Sequence, residues 1–252
     1  MNKKRQDLIY EEILAKSTCK VSDLADLFHV SSETIRKDLN HLESLGLISK
    51  NHGSATILND YLQLPADVKM NEHPIEKEWI ARKAIELIKD NSVIYLDPST
   101  ICVKLTRYLP LKKNCTIVTN SLAIAQTVLH TNHDLLFLGG HVIKKSSASI
   151  GAYANEMIDT LQIDYAFQGT DGFLGLEGPS TFSKEEFEIK RHIIEKSKTN
   201  ILICDHSKFD KSATYQYAKF TDFDILISNN ISDKEKAAFK NILKIIDVKT
   251  NN

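Results

Sequence analysis

Residues 5–16, RQDLIYEEILAK, repeat apolar side chains at helical spacing and place Leu8, Ile9, Ile13 and Leu14 on one face. A second helical pattern, VSDLADLFHV (21–30), takes Ser22 as its N-cap and turns Leu24, Leu27 and Phe28 inward. The third, SSETIRKDLNHLESLG (31–46), opens on Ser31 as N-cap and stops at Gly46. Beyond it, LISKNHGSATIL (47–58) reads as two short strands around a turn supplied by Gly53. Residues 59–74 are polar and broken by Pro65 and Pro74, the pattern of a linker. From residue 75 the pattern changes to β-rich runs at 92–97, 116–120, 134–140, 165–170, 200–205 and 223–228. Helical stretches at 78–90, 121–129, 185–197 and 234–243 are interleaved with them. This alternation predicts an open, mainly parallel α/β sheet with helices on both faces. The expected organisation is a small helical head with a hairpin (1–58), a linker (59–74) and a larger α/β domain (75–252).

Composition adds exclusions. With 42% hydrophobic and 26% charged residues the chain of 252 residues falls in the ordinary globular range. No apolar run reaches the roughly 18–20 residues of a membrane span, and Met1 leads into a polar helical pattern instead of a signal peptide, so a cytoplasmic protein is expected. Cys19, Cys102, Cys115 and Cys204 are scattered with no ligand spacing; reduced buried thiols are expected, with no metal and no cofactor. A formal net charge of −1 gives no global field for nucleic acid, and residues 1–58 carry eight cations against eight acids. Any DNA contact must come from local arrangement.

Such an arrangement exists on the third helix. On a wheel of about 100° per residue, Ile35, Leu39 and Leu42 cluster on one side, while Glu33, Arg36, Lys37, Asn40 and Ser44 fall opposite. Guanidinium, ammonium, amide and hydroxyl groups on one stripe suit phosphates and base edges. The candidate DNA-contacting residues are Ser32, Glu33, Thr34, Arg36, Lys37 and Asn40 on this helix, with Lys50 and His52 on the hairpin. The same stripe is also what the wet side of any amphipathic helix looks like, and charge counting does not separate the two readings. Asp38 falls at the edge of the buried face, where a pairing with Arg5 on the first helix would fix the angle of the reading helix.

The residues Arg5, Ile9 and Ile13, followed by Ser31, Thr34, Ile35, Arg36, Lys37, Asp38 and Leu39, resemble the winged helix-turn-helix signature of the DeoR family of bacterial transcriptional regulators. The wing is similar too, although the family usually shows Arg and His-Gly-Gly-Ala where this chain has Lys50 and HGSA (52–55). The resemblance continues through Lys69, Asn71 and Glu76-Lys77, then LDPST (96–100), TNSL (119–122), LGG (138–140), GTDG (169–172), EFEIK (186–190) and DHSKF (205–209). It implies an effector domain similar in fold to ribose-5-phosphate isomerase and glucosamine-6-phosphate deaminase, with a phosphorylated sugar as ligand. It further implies a homo-oligomer, dimer or tetramer, that represses carbohydrate-metabolism genes from a double-stranded DNA operator and is released by the sugar.

Position along the chain gives candidates for that ligand. Asp97, Thr119, Asn120, Gly139, Gly169, Asp171 and Asp205 fall at carboxyl ends of predicted strands, where open α/β sheets bind ligands, and of these Asp97, Thr119, Asn120, Gly139 and Asp171, with the neighbouring Gly140, are the candidates. Ser99 and Thr100 place two hydroxyls at a strand-to-helix turn suited to a phosphate, and Lys208 offers counter-charge. Asp97 and Asp171 are expected to accept from sugar hydroxyls. The loop departs from the family pattern: Pro98 removes a donor, and Ser99 has a Cβ where a glycine would let the backbone approach. Two other readings stay open. One is a sugar-phosphate isomerase or deaminase with an accessory head, for which Asp97, Asp171 and Glu186 are nominal carboxylates without a spacing that specifies a base–acid pair. The other is a DNA-binding architectural protein that senses nothing.

Overall fold

A computed structural model describes residues 2–16, 18–44, 47–51, 53–57, 66–239 and 241–249; Gly46, His52 and Pro65 lie outside the described residues. The chain divides into two compact units, one ending at Leu62 and the other beginning at Gln63.

The first unit contains α1 (Asn2–Lys16), β1 (Thr18–Lys20), α2 (Val21–Leu27), α3 (Ser32–Ser44), β2 (Ile48–Asn51) and β3 (Ser54–Ile57). The strands form an antiparallel sheet in the order β1-β3-β2, and Gly53, at φ +78°, turns β2 into β3. Ile9, Ile13, Leu24, Ile35, Leu39, Leu42 and Ile48 are buried together as its core. Each such side chain removed from water contributes about 1.5–3 kcal/mol. Three details differ from the sequence reading. Leu8 is 44% exposed, because the inward stripe of α1 is carried by Ile9, Tyr10 and Ile13. Leu27 is 50% exposed where α2 ends, the buried positions of that helix being Val21, Leu24 and Ala25. Ser22 is not the N-cap: β1 runs directly into α2, Lys20 is the cap residue, and the Ser22 hydroxyl donates to Asp23.

In the second unit, α4 (Ala66–Asn71) forms within the stretch expected to be linker, and α5 (Pro74–Ile85) begins on Pro74, whose fixed φ and missing N–H suit a first helical turn. There follow β4 (Val93–Leu96), α6 (Thr100–Leu105), β5 (Thr116–Thr119), α7 (Leu122–Val128), β6 (Asp134–Phe137), β7 (His141–Ile143) and β8 (Ala148–Ile150). The chain continues through α8 (Ala152–Asp159), β9 (Ile163–Gln168), β10 (Ser180–Thr181), α9 (Lys184–Glu195) and β11 (Ser197–Ile203). It closes with β12 (Tyr215–Gln216), β13 (Ile225–Asn229), α10 (Asp233–Ala238) and β14 (Lys244–Val248). Seven strands make one parallel sheet in the order β14-β13-β11-β9-β4-β5-β6.

Alternation along the strands sends apolar side chains to both faces. Ile94, Leu96, Phe167, Ile201 and Ile203 pack with α5, α6 and α7 on one side. Tyr95, Val118 and Ala166 pack with α8 and α9 on the other, where Leu202 and Leu226 continue into an aromatic cluster of Phe173, Phe209, Phe220 and Phe239. Among the described residues no helix is long and apolar enough to cross a membrane.

Candidate functional site

On α3 the Ser31 hydroxyl accepts from the Thr34 N–H at 3.2 Å and lies 2.9 Å from the Thr34 hydroxyl, capping the helix. Ser32 and Thr34 are thus half-buried at its start, while Glu33, Arg36, Lys37, Asn40 and Ser44 are exposed. Arg36 stands 61% exposed with only a 3.7 Å contact to Glu33, the ordinary i,i+3 surface pair. Asp38, 3% exposed, accepts from Arg5 Nε at 2.7 Å and from Gln6 Nε2 at 3.0 Å, so the edge of the buried face is pinned to α1. Lys50 is turned back on α3: its ammonium lies 2.8 Å from Glu43 and also donates to Asn40. Its cation is shared between wing and helix. His52 lies outside the described residues.

The larger unit has its topological switch at β4 and β9. Strand order runs outward from β4 through β5 and β6 on one side and from β9 through β11 and β13 on the other. Loops leaving the carboxyl ends of β4 and β9 therefore part in opposite directions and leave a crevice between them. That crevice is a cleft lined by Asp97, Ser99, Thr100, Asn120, Asp171 and Lys208 from among the expected residues.

Asp97 is closed on the protein itself. Both its oxygens accept from Lys190 Nζ, at 2.8 and 2.7 Å, and Oδ2 also accepts the Gly169 N–H at 3.0 Å. Lys190 further donates to the Gly169 carbonyl at 3.1 Å and lies 5.0 Å from the centre of the Tyr217 ring. A second pair joins Lys69 to Asp171 at 2.6 Å. Burial alone would raise the Asp171 pKa, but Lys69, with Lys208 and Lys190 behind it, holds it below the usual carboxylate value.

Two further lysines face the cleft. Lys77 is 1% exposed; its ammonium donates to the Lys69 carbonyl at 2.5 Å and lies 3.9 Å from Asp205. Burial lowers its pKa to about 8, Asp205 works against the shift and Lys208 adds to it. Lys208 has no side-chain ion pair among the described residues. Neutral groups complete the wall: the Tyr95 hydroxyl donates to Asn120 Oδ1 at 2.9 Å, and the buried Ser146 hydroxyl finds no hydrogen-bond partner among the described residues.

The departure at Pro98-Ser99 is absorbed locally. Ser99 caps α6 by accepting from the Cys102 N–H at 3.3 Å, and its Cβ is accommodated because residue 169 is glycine: a Cβ there would stand 2.5 Å from the Ser99 Cβ. Cys102, beneath this turn, is pushed up to about 12 by burial and stays a thiol.

Three expected residues do not reach the cleft. Thr119 is fully buried, its hydroxyl donating to the Leu96 carbonyl at 2.7 Å and accepting from the Ser121 N–H, so it ties β4 to β5. Gly139 and Gly140 follow β6, the edge strand, away from the switch point. Gly140, at φ +142°, is needed for packing: a Cβ would meet the Ile150 carbonyl oxygen at 2.3 Å. Conversely, Lys69, Lys77, Tyr95, Ser146, Thr170, Glu186 and Lys190 line the cleft although they were not among the expected ligand residues. For two of them the sequence held a signal. Lys77 shares the inward stripe of Ile80, Ala81 and Ala84, and Lys190 that of Ile189 and Ile193; a lysine on an apolar stripe needs a buried partner. Among the described residues no group of three or more His, Cys, Asp and Glu side chains could hold a metal ion.

Comparison with known proteins agrees with this division. Residues 5–60 match the DeoR-like helix-turn-helix domain and residues 72–230 the DeoR C terminal sensor domain. The HTH-type transcriptional regulator IolR of Bacillus subtilis (strain 168) is 32% identical over 233 residues, 92% of each chain. The glycerol-3-phosphate regulon repressor of Escherichia coli (strain K12) is 30% identical over 210 residues, 83% of each chain. Among solved structures, a D-ribose-5-phosphate isomerase in complex with phospho-erythronic acid superposes with a TM-score of 0.41 at 17% identity, covering 54% of this chain and 55% of that one. With a matching head, a matching sensor and relatives aligned along nearly its whole length, the chain belongs to the DeoR family of transcriptional regulators.

Proposed function

We propose that this DNA-binding regulator represses carbohydrate-metabolism genes and is released from its operator by a phosphorylated sugar held in the cleft at the carboxyl ends of β4 and β9. The observation that carries the reading is the charge inside that cleft. Lys69 is paired with Asp171 and Lys190 with Asp97; Lys77 stands 3.9 Å from Asp205, and Lys208, which also stabilises the Asp205 charge, faces the same space without a side-chain ion pair among the described residues. Four lysines stand in this lining beside the carboxylates of Asp97, Asp171 and Glu186, and a lining so rich in ammonium groups suits an anion. Tyr95, Asn120, Ser146 and Thr100 surround them with hydroxyl and amide groups of the kind that orient a polyol. The relative named as a glycerol-3-phosphate regulon repressor supports an effector that carries both a phosphate and hydroxyls.

Arg36, Lys37 and Asn40, with Ser32, Glu33 and Thr34 at the helix start, enter the major groove in this reading, and Lys50 positions the wing. Two heads on one face of a duplex need half-sites about 34 Å apart or a multiple of it, hence a homo-oligomer. An isomerase or deaminase would need a carboxylate base poised near neutral pH. Asp97 is instead locked to Lys190, and Asp171 is held low by Lys69.

The test is fluorescence anisotropy of labelled upstream DNA with a panel of pentose and hexose phosphates and their unphosphorylated counterparts. At least one phosphate ester should release the protein while its parent sugar does not. Release by no member of the panel, at millimolar concentration, would overturn the effector assignment.

A further inference from the structure

One wall of the cleft is made by the segment that precedes the sensor fold proper. α4 starts at Ala66, just past the unit boundary at Leu62, and its Lys69 reaches into the cleft. There the ammonium donates to Asp171 Oδ1 at 2.6 Å, the two side chains being 19% and 12% exposed. The carbonyl of the same residue accepts from Lys77 Nζ at 2.5 Å. α4 is therefore fastened to the sensor through Lys69 twice, and both fastenings use cations that line the ligand space. Burial disfavours charge on Lys69, but Asp171 outweighs it and raises its pKa, so the pair is ionised at neutral pH.

We propose that Lys69–Asp171 is a latch worked by the effector: an anion entering the cleft takes the Lys69 ammonium from Asp171 and so changes how α4 is held against the rest of the sensor. This rests on the reading of the cleft as a site for a phosphorylated sugar. A phosphate ester carries about −1.5 to −2 charges at neutral pH and outcompetes a single carboxylate for an ammonium within reach. Asp171 is not stranded by the exchange, since Lys208 and Lys190 continue to stabilise its charge. The two arrangements differ in the partner of one lysine, which gives the differential contact that any ligand-driven shift requires.

The experiment uses the full chain as wild type, K69M, K69R and D171N, with two readouts. The first is hydrogen exchange of residues 66–77 without ligand. K69M and D171N should exchange about tenfold faster there than wild type, and K69R, which keeps the ion pair, should not. The second is operator Kd with and without the phosphorylated sugar that releases wild type, each variant being saturated as judged by its own thermal shift. The sugar should raise the wild-type Kd by about tenfold or more, within the usual range of allosteric coupling. That rise should shrink to within about twofold in K69M and return in K69R. Unchanged exchange in both K69M and D171N, or wild-type coupling in K69M, overturns the latch. Should no phosphorylated sugar release the wild type, the effector assignment fails and the latch loses its trigger, while the exchange measurement still decides separately whether Lys69–Asp171 fastens α4.

Discussion

In the head, Arg36 and Lys37 stand in water on α3, and the buried carboxylate of Asp38 is met by Arg5 and Gln6. In the sensor the cations are inside: Lys77 and Lys190 are almost wholly buried, and Lys69 and Lys208 border the same cleft. Exposed lysine and arginine cost little to keep charged and stay available to a large, flat, highly charged partner such as a DNA backbone. Buried ones are expensive unless matched, and the carboxylates Asp97 and Asp171 supply the match for Lys190 and Lys69. In the proposed function the same residue types thus serve a macromolecular surface in one unit and an enclosed site in the other. Burial, more than count, separates the two.

The comparison breaks most visibly at Lys190. Lys190→Met leaves Asp97 buried with the Gly169 N–H as its remaining partner. The expected loss is about 3–5 kcal/mol, or a melting temperature lower by about 10 °C for a unit of this size; a drop of less than 2–3 °C by calorimetry would mean the pair is not holding the site. On the exposed side, Arg36→Ala should weaken specific operator binding by about tenfold or more, as expected for loss of a base-edge contact. Its melting temperature should stay within about 1 °C of wild type, and an unaltered operator Kd would remove α3 from the interface.

Asp38→Ala sharpens the contrast inside the head, since it should lower the unfolding temperature of that unit, with Arg5→Ala adding little on top. Fully additive losses in the double-mutant cycle would contradict the pairing. The smallest effect concerns pH. Lys77 has its folded pKa lowered by burial, so on raising pH through about 8 it loses its proton in the folded protein while the unfolded chain keeps it. Folding stability gains from this group across that interval, whereas affinity for an anion in the cleft falls, by at most about tenfold per pH unit. Asp205, Lys208, Lys69 and Glu72 face the same ammonium and set where the fall begins. Titration calorimetry from pH 7 to 9 on wild type and Lys77→Met checks it; an identical fall in both would assign the dependence elsewhere.

How much of this was legible in the chain differs by region for physical reasons. The three helices of the head and the six strands of 92–228 are announced by periodicity because each buries one face or both. Residues 244–248 form a strand that the sequence pattern does not announce: KIIDV follows a helical pattern without a turn signal, and α10 ends earlier, at Ala238, than that pattern suggests. The hairpins β7–β8 and β10–β12 have strands of two or three residues, too short to carry a period. At the site, residues immediately after strands were readable from position alone, which brought in Asp97, Asn120 and Asp171. Position could not say that Asp97 is consumed by Lys190, nor that Gly139 and Gly140 follow an edge strand, because both depend on strand order. Lys69 is marked by the family resemblance, but its place in the cleft was hidden for a related reason: it lies in a polar, proline-bounded stretch that gives no periodic signal of the helix it forms.

The central claim is that cleft occupancy and operator binding exclude one another energetically, and coupling of this kind is reciprocal. The most direct measurement is calorimetric titration of the releasing sugar phosphate into the free protein and into the protein–operator complex. Sugar binding to the complex should be weaker by the same factor by which the sugar raises the operator Kd. Equal affinity for free and DNA-bound protein would contradict it.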